Sequence, residues 1–212
     1  MKELLNRGAT SMGLTLSCEQ INAFILYYDE LKKWSSKINI SALVDNEKKV
    51  VCELFLDSLA PLLVIGKENC HERHLLDVGS GGGFPGIPIK IAFPALNVTL
   101  CDSIEKKVFF MRNVIRKLSL TGIEAITCKF NDLGSTAIEK ASYGWAISKA
   151  VTDIETFALW AAPHLKKGGI LICMKGPKEE AIELKNYSSP EKINYTLPLL
   201  NLKRRLYLYQ KL

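Results

Sequence analysis

At 212 residues, 48% hydrophobic and 24% charged, the chain suits one domain with a sizeable core, or a domain plus an extension. No apolar run is long enough to span a bilayer, and the first residues lack the apolar segment of a signal peptide, so a cytoplasmic protein is expected. The net charge of +6 is uneven: residues 1–66 carry 7 Lys/Arg against 8 Asp/Glu, and residues 67–212 carry 21 against 14, which favours a polyanionic partner such as RNA for the second part. The six cysteines are scattered with no C-x-x-C pair, so reduced thiols are expected, with neither a zinc ribbon nor a disulfide framework, and no metal cluster.

Taken in chain order, residues 18–34 have helical spacing, with Ile21, Phe24, Ile25, Tyr28, Leu31 and Trp34 on one face and Ser17 and Gln20 placed as a capping box. A second helix is predicted from near Asp45 to Ser58. These helices read as an N-terminal extension, residues 1–66, whose apolar face must pack on a main domain, residues 67–212, because two helices alone make a poor core. From Leu75 strands and helices alternate. Strand 75–78 leads to a helix near 86–92, strand 97–101 to helix 104–118, strand 123–128 to a short helix near 135–141, and strand 144–149 to helix 153–165. A Lys-Lys-Gly-Gly turn at 166–169 enters strand 170–174, a helix is predicted near 178–186, and strands 193–199 and 205–210 form a closing hairpin. The alternation implies a parallel sheet covered by helices on both faces.

The informative junction is Asp77-Val78-Gly79-Ser80-Gly81-Gly82-Gly83-Phe84-Pro85-Gly86. An apolar strand stops at four glycines in five residues and a helix follows, which is the geometry of a nucleotide site: no Cβ blocks the ligand, and a helix N-terminus offers free N–H groups. Gly81-x-Gly83-x-x-Gly86 fits the dinucleotide pattern, whereas Asp77-x-Gly79-x-Gly81-x-Gly83 resembles the loop of class I S-adenosylmethionine methyltransferases. Asp102, ending the second strand, can accept ribose hydroxyls from either ligand. Seven strands ending in a hairpin resemble the class I methyltransferase fold, a Rossmann-like, mostly parallel sheet, more than a dehydrogenase, which would also need a substrate domain.

Chemistry narrows the methyl acceptor. The position after the fourth strand reads Ser148-Lys149-Ala150-Val151, not the Asn/Asp-Pro-Pro-aromatic tetrad used on exocyclic amines, and no Pro-Cys offers the nucleophile for cytosine carbon 5. Cys128 and Cys173 lie in apolar strand runs and read as core. An acceptor that is nucleophilic while neutral, such as guanine N7, needs only alignment and electrostatic support.

Ordered segments along nearly the whole chain resemble the RsmG (GidB) family of bacterial small-subunit ribosomal RNA guanine-N7 methyltransferases. They are Leu31-x-x-Trp34 with Lys37-Ile38-Asn39-Ile40-Ser41, Phe55-Leu56-Asp57-Ser58-Leu59, the glycine segment with its Phe84-Pro85-Gly86-Ile87-Pro88 tail, Asp102-Ser103-x-x-Lys106-Lys107-x-x-Phe110, Ile147-Ser148-Lys149-Ala150, Met174-Lys175-Gly176 and Arg204-Arg205-Leu206. The resemblance implies a monomeric cytoplasmic enzyme, with S-adenosylmethionine as cofactor and a guanosine in the decoding-region loop of 16S rRNA, or of the small ribosomal subunit, as acceptor. It also implies that Gly79, Gly81 and Phe84 contact the cofactor, Asp102 holds its ribose, Phe130 and Asn131 border its adenine, and Lys149 lines the cofactor side near the acceptor and supports it electrostatically. By the same resemblance Lys175 and Arg204 grip RNA phosphate. Lys149 stands where the family usually has arginine, Asn131 where glutamate is common, and Cys52-Glu53-Leu54 replaces the usual V-R-H. These departures keep a second reading in view, an RNA-binding protein with a degenerate cofactor pocket. The glycines keep a third, a dinucleotide-binding oxidoreductase.

Overall fold

A computed structural model describes residues 1–35, 38–65, 74–128, 138, 140–149 and 152–212. Seven strands form one sheet in the order β3-β2-β1-β4-β5-β7-β6. These are β1 (His74–Val78), β2 (Asn97–Asp102), β3 (Ile123–Thr127), β4 (Tyr143–Lys149), β5 (Leu165–Lys175), β6 (Glu191–Leu197) and β7 (Leu202–Gln210). The pairs from β3 to β5 are parallel, and β7 runs antiparallel to both β5 and β6. This is the mostly parallel sheet with a closing antiparallel hairpin that the sequence predicts. Order reverses between β1 and its neighbour β4, so the crevice at their carboxyl ends is where an open α/β sheet binds ligands.

Alternate strand residues face two cores. Ile147, Ile172, Met174 and Leu206 enter the larger one, with α1 (Lys2–Ser11), α2 (Cys18–Ser35), α6 (Gly86–Ala92) and α7 (Glu105–Lys117). Leu76, Ala146, Cys173 and Tyr207 enter the smaller one, covered by α8 (Ile154–Ala161). The N-terminal helices therefore share the larger core with the sheet. The expected boundary of the extension at residue 66 lies outside the described residues. The Tyr27 ring stacks on that of Phe84 at a centroid distance of 5.4 Å and the Phe55 ring meets it tilted at 6.2 Å, tying the extension to the glycine loop. Each such pair contributes about 0.5–1.5 kcal/mol beyond its buried area.

The capping box forms as expected: the Gln20 N–H donates to Ser17 Oγ at 3.2 Å, and the Ser17 N–H donates to Gln20 Oε1 at 2.8 Å. The second helix starts at α3 (Glu47–Lys49), capped by Asn46, widens into a π-helical stretch, Val50–Leu56, and ends in α4 (Asp57–Leu59). In that widened turn the Asp57 N–H donates to the carbonyl of Cys52, five residues back. A short α5 (Leu62–Ile65) follows. Neither α1 nor α5 is evident from the sequence pattern.

Three expectations change. The predicted helix 153–165 ends at Ala161, because Leu165 already pairs with Tyr143 and opens β5; the Lys-Lys-Gly-Gly stretch lies inside that strand, at a register irregularity. The predicted helix near 178–186 does not form. Its backbone is held instead by β7 side chains: Tyr207 and Arg205 donate to the Glu179 carbonyl at 2.9 and 3.0 Å, and the Ile182 N–H donates to Tyr209 Oη at 3.3 Å. The helix expected near 135–141 falls largely outside the described residues. No described helix is long and apolar enough to cross a membrane.

Candidate functional site

The loop after β1 is fixed from below and from the side. Asp77 is fully buried at the end of β1, and its Oδ2 accepts the Gly86 N–H at 2.8 Å, anchoring the start of α6. A Cβ at Gly86 would lie 2.3 Å from Leu100 and 2.8 Å from that carboxylate, so only glycine lets the helix pack this close to the sheet. The Tyr27 hydroxyl donates to the Gly82 carbonyl, and Ile40 covers Gly82 from the segment after α2. Gly81 has φ +59, and a Cβ there would meet nothing nearer than 3.9 Å, which leaves open space beside it. Into this corner comes Asp102, 5% exposed, whose Oδ2 accepts the Gly81 N–H at 2.8 Å and whose Oδ1 accepts the Ile104 N–H at 2.9 Å. A carboxylate has about four acceptor positions, so each oxygen retains capacity for a ribose hydroxyl.

Asp77 Oδ1 is buried and has no partner among the described residues. Burial drives the Asp77 carboxyl up to about 7, the nearby Asp102 charge adds to this, and the Gly86 N–H opposes it. The group is neutral in the folded protein below that pH, whereas in the unfolded chain it ionises near 4. Its stabilising contribution is therefore complete below pH 4 and is lost as pH rises through 7, a loss of roughly 4 kcal/mol across the window. The Asp77→Asn variant should lose this dependence. Urea midpoints of the two proteins, compared from pH 4.5 to 8, should converge at low pH and separate toward pH 8; parallel profiles would remove Asp77 as the cause.

On the other side of the crevice, Lys149 ends β4. Its Nζ donates to the Glu53 carbonyl at 2.6 Å and pairs with Asp57 Oδ2 at 2.8 Å. Tyr195 of β6 donates its hydroxyl to Asp57 Oδ1 at 2.8 Å, and Arg204 of β7 reaches Glu53 Oε2 at 3.2 Å. Burial, then the Asp57 charge, raises the Tyr195 phenol far above its usual range, which keeps it a donor. Lys175, at the end of β5, donates to the Thr152 carbonyl at 2.8 Å and pairs with Glu179 at 2.9 Å. These groups surround a cavity of about 420 Å³.

The sequence-predicted residues thus fall into two groups. Gly79, Gly81 and Asp102 form the glycine-loop corner. Lys149, Lys175 and Arg204 share the cavity beside it. Phe84 is 8% exposed and its ring packs in the aromatic cluster behind the loop. Phe130 and Asn131 lie outside the described residues. Glu53, Asp57 and Tyr195 carry no assigned role in the sequence reading. Glu53 and Asp57 are visible there only as a departure from a motif and as part of one, and nothing local in the sequence signals that the hairpin folds Tyr195 back onto the π-helical turn.

The model of the family described as rRNA small subunit methyltransferase G matches residues 20–205. A protein called ribosomal RNA small subunit methyltransferase G from Acetivibrio thermocellus is 34% identical over the whole of this chain and 88% of its own length. One of the same name from Geotalea uraniireducens is 42% identical over 82% of this chain and 77% of its own. Among solved structures, an Aquifex aeolicus SAM dependent methyltransferase covers 87% of this chain and 98% of its own with a TM-score of 0.56 at 16% identity. Thermus thermophilus TrmN covers 74% and 48% with a TM-score of 0.56 at 14% identity. The structural likenesses establish the fold, and the sequence matches establish more: the chain belongs to the rRNA small subunit methyltransferase G family.

Proposed function

We propose that this protein transfers the methyl group of S-adenosylmethionine to N7 of one guanosine in the decoding-region loop of 16S rRNA, as a monomer in the cytoplasm. The observation that carries the reading is the family match over residues 20–205, which spans both the glycine-loop corner and the Lys149 cavity. The residues present suit the cofactor. Gly81 leaves room for a nucleoside, and Asp102 retains acceptors for ribose hydroxyls. Phe84 supports the loop from behind. When bound, S-adenosylmethionine supplies an electrophilic methyl on a sulfonium. Guanine N7 attacks without losing a proton, so the chain needs no general base; Lys149, Lys175 and Arg204 orient the acceptor.

The reading is tested by methyl transfer from labelled S-adenosylmethionine to 16S RNA and to small subunits from cells lacking this gene, followed by nucleoside analysis. Label in 7-methylguanosine at one position is the expected result. Label in another nucleoside would overturn the acceptor, and RNA binding without cofactor binding would favour a degenerate pocket. Stabilisation on heating by NAD alone would favour an oxidoreductase.

A further inference from the structure

The cavity beside the glycine loop is charge-balanced. Each of its cations meets a carboxylate of the same chain: Lys149 meets Asp57 at 2.8 Å, Lys175 meets Glu179 at 2.9 Å, and Arg204 meets Glu53 at 3.2 Å. A phosphate entering here would have to displace a carboxylate from every cation it touched. A neutral heterocycle with donors on one edge and acceptors on another would not.

The three carboxylates are not equivalent. Asp57 uses both oxygens, Oδ2 on Lys149 and Oδ1 on Tyr195. Glu179 also uses both, Oε1 on the Gly176 N–H and Oε2 on Lys175, and its side chain is 54% exposed. Glu53 spends only Oε2, on Arg204; among the described residues its Oε1 makes no hydrogen bond or ion pair, and its side chain is 25% exposed at the cavity wall. The cavity therefore keeps one sheltered carboxylate oxygen with spare capacity, close to cationic donors.

We infer that Glu53 reads the acceptor base, its Oε1 accepting from the N1–H and 2-amino edge of guanine; this rests on the function proposed above. That edge lies across the purine from N7, so a base held there by Glu53 can turn N7 toward the glycine-loop corner. Adenine would set its N1 lone pair against the carboxylate and is rejected. The contact also favours reaction over mere binding. Attack by N7 forms a carbon–nitrogen bond as the carbon–sulfur bond breaks, and the purine gains a positive charge. Its N1–H becomes a stronger donor, so the hydrogen bond to Glu53 tightens toward the transition state. Glu53 stands where the family pattern has arginine, so this is a device of this chain.

The test is single-turnover methylation of small subunits reassembled with either guanosine or inosine at the methylated position. Inosine lacks the 2-amino group. Wild-type protein should methylate it about 10-fold more slowly, within the range of a base contact. The Glu53→Ala variant, which loses the N1–H contact as well, should be slowed on guanosine by more than that factor and should show almost no further inosine penalty; Glu53→Gln, which keeps one acceptor, should fall between wild type and Glu53→Ala. A wild-type protein indifferent to inosine, or a full inosine penalty in Glu53→Ala, would overturn the assignment. The wild-type comparison decides by itself if the variants do not fold. Guanosine subunits that yield no 7-methylguanosine with wild-type protein would instead overturn the functional reading, and this inference with it.

Discussion

Replacing Asp102 by alanine should weaken S-adenosylmethionine binding about 100-fold while lowering thermal stability only modestly. The carboxylate does two things at once. It holds the Gly81 and Ile104 N–H groups at 2.8 and 2.9 Å, and it faces the open space beside Gly81. A hydrogen bond to a charged group contributes about 1.5–3 kcal/mol, so losing the acceptor for two ribose hydroxyls removes roughly 3 kcal/mol of binding. The Gly81 and Ile104 amides lie at the rim and can turn to water, which limits the effect on folding. Asp102→Asn retains one acceptor and should lose about 10-fold, near half of the free-energy change. Calorimetric titration with the cofactor, beside a thermal scan of each variant, separates the two effects. Unchanged affinity in Asp102→Ala would remove the ribose assignment. A collapse in stability would make the residue a support of the loop alone.

This corner was legible in the sequence because every signal in it is local. Strand, glycines and helix lie within one short stretch, and Asp102 ends the next strand. The sheet was legible for a similar reason, since strand and helix periods alternate and the closing strands lack a crossover helix between them. The segment after β5 was not. Its apolar spacing fits a helix, but the competing hydrogen bonds come from Arg205, Tyr207 and Tyr209, about 25 residues further along the chain. The pairing of the charges in the cavity is hidden from the sequence in a comparable way. Lys149, Lys175 and Arg204 look in the sequence like available cations, and only the fold shows that Glu53, inside the π-helical stretch, and Asp57, directly after it, come to lie against Lys149 and Arg204. A helix prediction with ordinary spacing gives no hint of that widened turn.

Replacing Asp57 by alanine should cost about 3–5 kcal/mol of stability, the usual price of leaving a buried ion-pair partner alone. For a chain of this size that lowers the melting temperature by about 10 °C. The residue is 4% exposed and receives the Lys149 ammonium and the Tyr195 hydroxyl at 2.8 Å each, with Arg204 Nε at 3.9 Å. Without it Lys149 keeps only the Glu53 carbonyl, and the Tyr195 hydroxyl loses its acceptor at a part-buried position. Asp57→Asn keeps an acceptor for Tyr195 but no charge for Lys149, and should lose about half as much. The decisive comparison is the double variant Asp57→Ala with Lys149→Ala. If the pair is what matters, removing the ammonium as well recovers more than about 1 kcal/mol relative to the sum of the single changes. Strict additivity in urea unfolding would show that Asp57 acts through Tyr195 and the hairpin instead. The double variant should regain stability without regaining methyl transfer, because the charge proposed to orient the acceptor is gone with Lys149. Stability would then recover along one cycle while activity stays lost, which distinguishes a residue that positions Lys149 from one that merely fills the core.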